Sequence, residues 1–302
     1  MPWADRLDNV ALRAAGRWLI PTPSAFPGPA RVPAYRLRNA GLERWPVQAI
    51  RDVPGVGKVA CDTRDVIQRY LYVFGVWEPT VTAVVRRHLR PGDVFVDVGA
   101  NIGYYTMLAA QLVGPTGSVI SFEPSPTVRA QLEANLARND LTDRVTVNAA
   151  AAGAEDGEIE LFLGTEGNLG QTSTRTAEGF TSEGRVPLVR VDDRVPTELR
   201  QRVTCLKIDT EGDELAAVTG AGGVLASMPS SSLVLIEVDA PRMAARGATP
   251  QQLLEAMQGH GYAAHVVAND YSVAAYVHPP EPDLQPVTTL PEQGDVVFIK
   301  TG

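Results

Sequence analysis

The apolar positions of this chain follow two periods in alternation. Short β-branched runs at Val94–Val98, Ser118–Phe122, 145–149, 204–209 and 233–238 carry few polar interruptions, the pattern of strands buried on both faces. Between them, apolar residues recur three and four apart. One helix is predicted from Tyr104. A second has Ser125 as N-cap and Pro126 at its first position and runs to about Arg138. A third spans about Asp213 to Gly220, and a fourth opens at Thr249-Pro250 and ends near His260-Gly261. Strands alternating with helices predict an α/β fold, a doubly wound, mostly parallel sheet with helices on both faces. Further strands are predicted at 263–267 and 296–300.

The first 64 residues read differently. Residues 4 to 20 place Leu7, Val10, Ala11, Ala14 and Trp18 at helical spacing, an amphipathic helix that docks on protein. Pro21, Pro23, Pro27, Pro29 and Pro33 then predict a linker or wrapping segment rather than a regular element. A short strand is expected at 58–61, then helices at 64–74 and 80–89. The expected division is an N-terminal extension, 1–64, and one catalytic domain, 65–302. Within the latter, strands at 158–163 and 185–191 flank a Gly/Thr/Ser-rich loop, 164–184, a length that points either to part of the acceptor pocket or to disorder. A Pro-rich loop is expected from 278 to 294.

Composition narrows the class. The formal net charge is −8, which disfavours a nucleic-acid partner. The two cysteines, Cys61 and Cys205, are too few for a disulfide framework, and Cys205 sits in an apolar strand. No run of about 18 apolar residues predicts a membrane span, and no basic-then-apolar N-terminus predicts a secretory signal. A cytoplasmic protein is expected.

The chemistry concentrates at strand ends. Asp97-Val98-Gly99-Ala100-Asn101-Ile102-Gly103 joins the strand Val94–Val98 to the helix at Tyr104. Gly99 and Gly103 would let a ligand approach the backbone, and the helix N-terminus offers free N–H groups. Asn101 replaces the second glycine of the dinucleotide fingerprint G-x-G-x-x-G, which counts against a nicotinamide cofactor. Glu123, after Phe122, is placed to accept both ribose hydroxyls of a nucleoside. With Leu206-Lys207-Ile208-Asp209-Thr210-Glu211-Gly212-Asp213-Glu214 and Leu235-Ile236-Glu237-Val238, these stretches resemble the FkbM family of S-adenosylmethionine-dependent methyltransferases, in order and spacing. The resemblance covers roughly residue 65 onward, about four-fifths of the chain. It implies a seven-stranded Rossmann-like sheet with 296–300 as its antiparallel strand.

The resemblance further implies that Asp97, Gly99, Ala100, Asn101, Gly103, Thr106, Glu123, Pro124, Asn148 and Glu78 bind S-adenosylmethionine. Asn148 or a backbone group substitutes for the acid that many methyltransferases present to adenine. Tyr70, Trp77 and Glu78 are candidate lid residues. Asp209, with Lys207 and Glu211, is the candidate catalytic group, Asp209 acting as base or hydroxyl-orienting residue. Activity is expected to be metal-independent; a divalent ion, if used, would take Asp209, Glu237 and Asp239. The implied reaction is O-methylation of a small-molecule natural product or sugar; the N-terminal helix is expected to dock on the main domain or on a second subunit, so a homodimer is a candidate assembly. The alternatives are N-methylation, a nicotinamide-dependent oxidoreductase, and a non-catalytic cofactor-binding protein. Asp5 and Asp8 weaken any attraction of the N-terminal helix to anionic lipid. Full-length protein is therefore expected not to float with anionic liposomes; flotation lost on deleting residues 1–20 would contradict this.

Overall fold

A computed structural model describes residues 28–164, 172–173 and 179–301. The amphipathic segment at 4–20 and most of the loop read at 164–184 lie outside the described residues. In chain order come α1 (Gly28–Arg44), β1 (Gln48–Val53), β2 (Gly57–Asp62), α2 (Val66–Phe74), α3 (Pro79–His88), β3 (Val94–Val98), α4 (Tyr104–Val113), β4 (Ser118–Phe122) and α5 (Pro126–Arg138). Next are β5 (Val145–Asn148), β6 (Ala151–Ala152), β7 (Gly157–Leu163), β8 (Thr172–Ser173), β9 (Thr181–Val189), α6 (Thr197–Arg200), β10 (Val203–Ile208), α7 (Glu214–Gly220) and α8 (Gly222–Ser227). The chain closes with β11 (Leu233–Asp239), α9 (Ala240–Ala245), α10 (Pro250–Gly259), β12 (Tyr262–Val267), α11 (Val273–Val277), β13 (Leu284–Pro286) and β14 (Gln293–Lys300).

The main sheet runs β13-β12-β14-β11-β10-β3-β4-β5, eight strands rather than the expected seven. The eighth is β13, a short edge strand inside the Pro-rich loop, paired antiparallel to β12. Strands β11, β10, β3, β4 and β5 are parallel, and β14 is inserted antiparallel between β11 and β12. Val94, Phe95, Val96 and Val98 on β3 are each at most 1% exposed, because helices cover both faces. A smaller sheet, β6-β9-β7-β8, follows β5 in the chain and contains the two strands read from the sequence at 158–163 and 185–191.

The Pro-rich start differs from expectation. Residues from Gly28 form a helix with Pro33 inside it. Pro29 lies in the first turn, where no N–H partner exists, and Pro33 falls early enough to cost few helical bonds. Tyr35 of this helix stacks on Phe74 with ring centroids 5.1 Å apart. The hairpin β1–β2 is tied to α5 by Asn135 and Asn139, whose amide oxygens accept the Ala60 and Lys58 N–H groups at 3.0 and 2.7 Å. Val53, Val56 and Val59 join the same apolar core as Met107, Leu132 and Leu136.

The turn after β3 is shaped by protein contacts. Gly99 has φ +83°, and a Cβ there would stand 1.8 Å from the Asp209 carbonyl oxygen. At Gly103, φ +93°, the nearest atom would be Leu132 Cδ1 at 2.3 Å. The sequence reading assigned this openness to a ligand; a neighbouring strand tip and a helix side chain occupy it. Asn101 adopts φ 52° and accepts the Ile102 N–H on its own Oδ1 at 2.7 Å, which is how a residue other than glycine holds this position. Gly99→Ala combines left-handed strain with a backbone clash, together about 2–5 kcal/mol of destabilisation. A urea-denaturation midpoint close to that of the unmodified protein would contradict this reading of the turn.

Candidate active site

The carboxyl ends of β3, β4 and β10 open into a cavity of about 320 Å³. Its walls include Gly99, Glu123, Pro124, Asp209 and the stretch Ala150–Glu155, with Ile159, Leu161 and Leu188 of the small sheet closing the far side. Glu123 stands at its edge, 3% exposed. Its Oε2 accepts the Asn101 N–H and its Oε1 the Ser125 N–H, each at 2.9 Å. Burial outweighs these bonds and pushes the carboxyl up to about 7. One lone pair on each oxygen remains for a ligand hydroxyl. Ala100 is buried, its N–H donated to the Phe122 carbonyl at 3.0 Å. Asn148 turns its amide into the sheet, donating to the Ser121 carbonyl at 3.1 Å, and the wall beside it is Ala150–Glu155. Glu155 is thus the carboxylate at that end of the cavity. It follows β6 by three residues rather than ending β5, where the sequence reading looked for an acid.

Beyond Gly99 the side chains turn ionic. Lys207, on the central strand β10, is 7% exposed and pairs with Asp97 in the β10–β3 register. Its Nζ donates to Asp209 Oδ2 at 2.7 Å and lies 5.1 Å from the centre of the Tyr105 ring. Burial works against the ammonium, but the carboxylates of Asp209, Glu78 and Asp97 outweigh it and hold Lys207 charged. Burial also raises Asp209, and there the Lys207 charge prevails, keeping the carboxyl below its ordinary range. Asp97 accepts from Thr106 Oγ1 on Oδ2 at 2.5 Å, while its Oδ1, fully buried, has no partner in the protein. Its carboxyl is raised by burial, partly offset by Lys207.

Glu78 closes the site from the pre-strand region. It sits at φ 43°, a strained conformation for a residue with a side chain, and caps α3 without using its carboxylate. Tyr105 donates to its Oε2 at 2.7 Å and Tyr271 to its Oε1 at 2.9 Å, while its N–H reaches Tyr276 Oη at 3.2 Å. Burial pushes Glu78 up to about 7, helped by Asp295 and opposed by Lys207. Tyr70 and Trp77, read as lid candidates, pack edge-on at 5.9 Å, and Trp77 lies 5.4 Å from Tyr271.

Other candidates spread out. Glu211 takes φ 57° and forms an ion pair with Arg242, so it does not continue the strand alternation that would set it beside Lys207 and Asp209. Asp239 caps α9 by accepting the Arg242 N–H at 3.0 Å and pairs with the Arg242 side chain at 3.3 Å. Of the three acids named for a divalent ion, Asp209 and Glu237 stand on neighbouring strands but Asp239 is turned to Arg242, and among the described residues no group of three or more acids, histidines or cysteines is arranged to hold one. Glu214, the last acid of the signature, organises its own loop, accepting from Thr210 and Gly212 N–H groups at 3.2 and 2.9 Å. The sequence reading missed Asp295, which lies directly opposite Glu237 on β14 and accepts from Asn269 Nδ2 at 2.8 Å. It also missed Tyr105 and Tyr271, whose hydroxyls carry no local motif.

The profile described as Methyltransferase FkbM domain matches residues 97–264, more than half of the chain. The chain belongs to the FkbM methyltransferase domain family. Among curated proteins, 31-O-demethyl-FK506 methyltransferase FkbM of Streptomyces tacrolimicus is 53% identical over 57 residues, 19% of this chain and 22% of that one. Methyltransferase sdnD of Sordaria araneosa is 28% identical over 161 residues, 44% of this chain and 62% of that one. The chain thus spans less than two thirds of the length of either relative. Among solved structures, Methyltransferase FkbM from Methylobacillus flagellatus aligns at a TM-score of 0.39 with 16% identity, over 77% of this chain and 54% of that one.

The raised carboxyls of this FkbM domain give it a pH signature. Glu78 and Glu123 stand at about 7 in the folded protein against 4.5 for a free side chain, so the folded state binds more protons between those values. Their contribution to stability is complete below 4.5 and is lost as pH rises through about 7. Thermal midpoints followed by circular dichroism from about pH 5 to about pH 8 should fall less steeply in Glu123→Gln than in the unmodified protein. Parallel curves would show that Glu123 is already ionised throughout.

Proposed function

We propose that this protein is an S-adenosylmethionine-dependent methyltransferase that methylates a hydroxyl of a small-molecule natural product or sugar. The observation that carries the reading is one cavity with Glu123 at one end, Asp209 in its wall, and the unpartnered, buried Asp97 Oδ1 beside the same turn. These groups fit the proposed donor. Glu123 would hold the ribose, Asp97 Oδ1 would take the cationic amino group, and the wall at Ala150–Glu155 would face the purine, with Glu155 nearest in chemistry to its amino group. When bound, S-adenosylmethionine supplies a methyl group on a positively charged sulfur. The protein's part is alignment, exclusion of water and handling of the acceptor's proton.

Asp209 is the group proposed to orient the acceptor hydroxyl and take its proton. Lys207 fixes that carboxylate and keeps it ionised. Glu78, gripped by Tyr105 and Tyr271, closes the site on the side away from the cavity. Glu211 is assigned a positioning role at the cavity wall through Arg242 rather than contact with the reacting oxygen. The name of the Streptomyces tacrolimicus relative places its methyl on an oxygen of a natural product, and that supports the same choice here.

The same proposal keeps residues 65–302 as the methyltransferase unit, in the cytoplasm, and 1–64 as its extension. The exposed side chains of Leu37, Trp45 and Ile50 support a homodimer through that extension, a mass that light scattering reads directly.

Calorimetry with S-adenosylhomocysteine tests the donor site. Glu123→Ala should weaken binding about ten- to a hundredfold, the loss of a charged acceptor. Unchanged affinity would remove Glu123 from the ribose. Asp209→Asn should bind S-adenosylhomocysteine as the unmodified protein does. In a screen of hydroxylated acceptors with radiolabelled methyl donor, it should lose most turnover. Full turnover would reject Asp209 as the proton acceptor.

A further inference from the structure

Asp209 and Glu237 sit on neighbouring parallel strands. Lys207 lies opposite Leu235 and Ile208 opposite Ile236, so the next step along both strands brings Asp209 beside Glu237. This places their carboxyl groups within reach of a hydrogen bond to each other. Two carboxyl groups can share such a bond only if one of them carries a proton. The surroundings say which. Asp209 has the Lys207 ammonium on Oδ2 at 2.7 Å and the Arg242 charge nearby, so the negative charge belongs there. Glu237 faces Asp209, Glu78 and Asp295, all of them acids, and Asp295 stands directly across from it on β14.

We propose that Glu237 is a positioning residue for Asp209: its neutral carboxyl donates a hydrogen bond to the Asp209 carboxylate and, with Lys207, locks that carboxylate against the cavity wall. The Asp209 charge and burial push Glu237 up to about 10, in keeping with this geometry. A carboxylate held from two sides cannot rotate away from the cavity, so its remaining lone pairs stay aimed at an incoming hydroxyl. A neutral Glu237 also removes the repulsion that two ionised acids would exert on Asp295 across the β11–β14 ladder. The use made of the locked carboxylate rests on the methyltransferase reading; the lock itself does not.

Carbon-13 NMR of the full chain labelled at the glutamate carboxyl carbons tests the lock without an acceptor. Spectra are taken at pH 7 with and without S-adenosylhomocysteine. One glutamate should resonate at the protonated-carboxyl position in both. That signal should vanish in Glu237→Gln, which distinguishes it from Glu78 and Glu123. In Asp209→Asn it should move to the ionised position, because the neighbouring charge is gone. A Glu237 signal at the ionised position in the unmodified protein would overturn the proposal, as would a signal indifferent to Asp209→Asn. Should Glu237→Gln fail to fold, the Asp209→Asn spectrum decides alone. Calorimetry on the same samples keeps the two readings apart. Absent S-adenosylhomocysteine binding removes the methyl-transfer reading and leaves the NMR result standing, whereas an ionised Glu237 beside normal binding removes the lock only.

Discussion

The ammonium of Lys207, buried in the middle of a parallel sheet, is the constraint on which this site depends. A cation on the central strand β10 has little access to water, so it needs carboxylates within a few ångströms. Asp209 answers it directly, Asp97 from the neighbouring strand, and Glu78 from above through the Tyr105 ring and hydroxyl. Asp97 and Glu78 are themselves buried and would be costly unpaired, while Asp209 is half-buried. Lys207 and its acids therefore specify one another, and the ring they form lies where β3, β10 and β11 present their carboxyl ends. That is where ligands bind in open sheets of this kind.

The same ring couples the site to the outer elements. Glu78 belongs to the segment before α3, Tyr271 and Tyr276 to the segment between β12 and β13, and Tyr105 to the helix that follows the glycine turn. Their hydroxyls meet on one residue. Phe74 and Tyr35 extend the contact to α1 through stacked rings. A chain that holds the buried Glu78 in a left-handed conformation must over-determine it from several sides, and these aromatic contacts do so.

Much of this was legible in the sequence, and the reason is locality. The strand-turn-helix around Asp97 and the stretch from Lys207 to Glu214 declare themselves through residues a few positions apart, so the parallel sheet and most of the named acids could be read directly. What escaped depends on register between distant segments. Asp295 meets Glu237 only because β14 is inserted antiparallel beside β11, a pairing that no spacing announces. Glu155 reaches the cavity because it lies between β6 and β7 of the small sheet, whose residues line the same cavity. The helix α1 was hidden by prolines that happen to fall where a helix tolerates them. The need for glycine at Gly99 also depends on a distant segment, since the Asp209 carbonyl occupies the space its missing side chain leaves.

The claim that the site is organised by the buried charge of Lys207 is tested most directly by a double-mutant cycle in urea denaturation. Lys207→Met removes the cation and leaves the half-buried Asp209 and the buried Asp97 and Glu78 without it, which should cost about 3–5 kcal/mol. Lys207→Met combined with Asp209→Asn removes both charges and should recover a large part of that loss, giving a coupling of about 1–3 kcal/mol between the two positions. Additive effects of the two substitutions, or a Lys207→Met protein as stable as the unmodified one, would contradict the account.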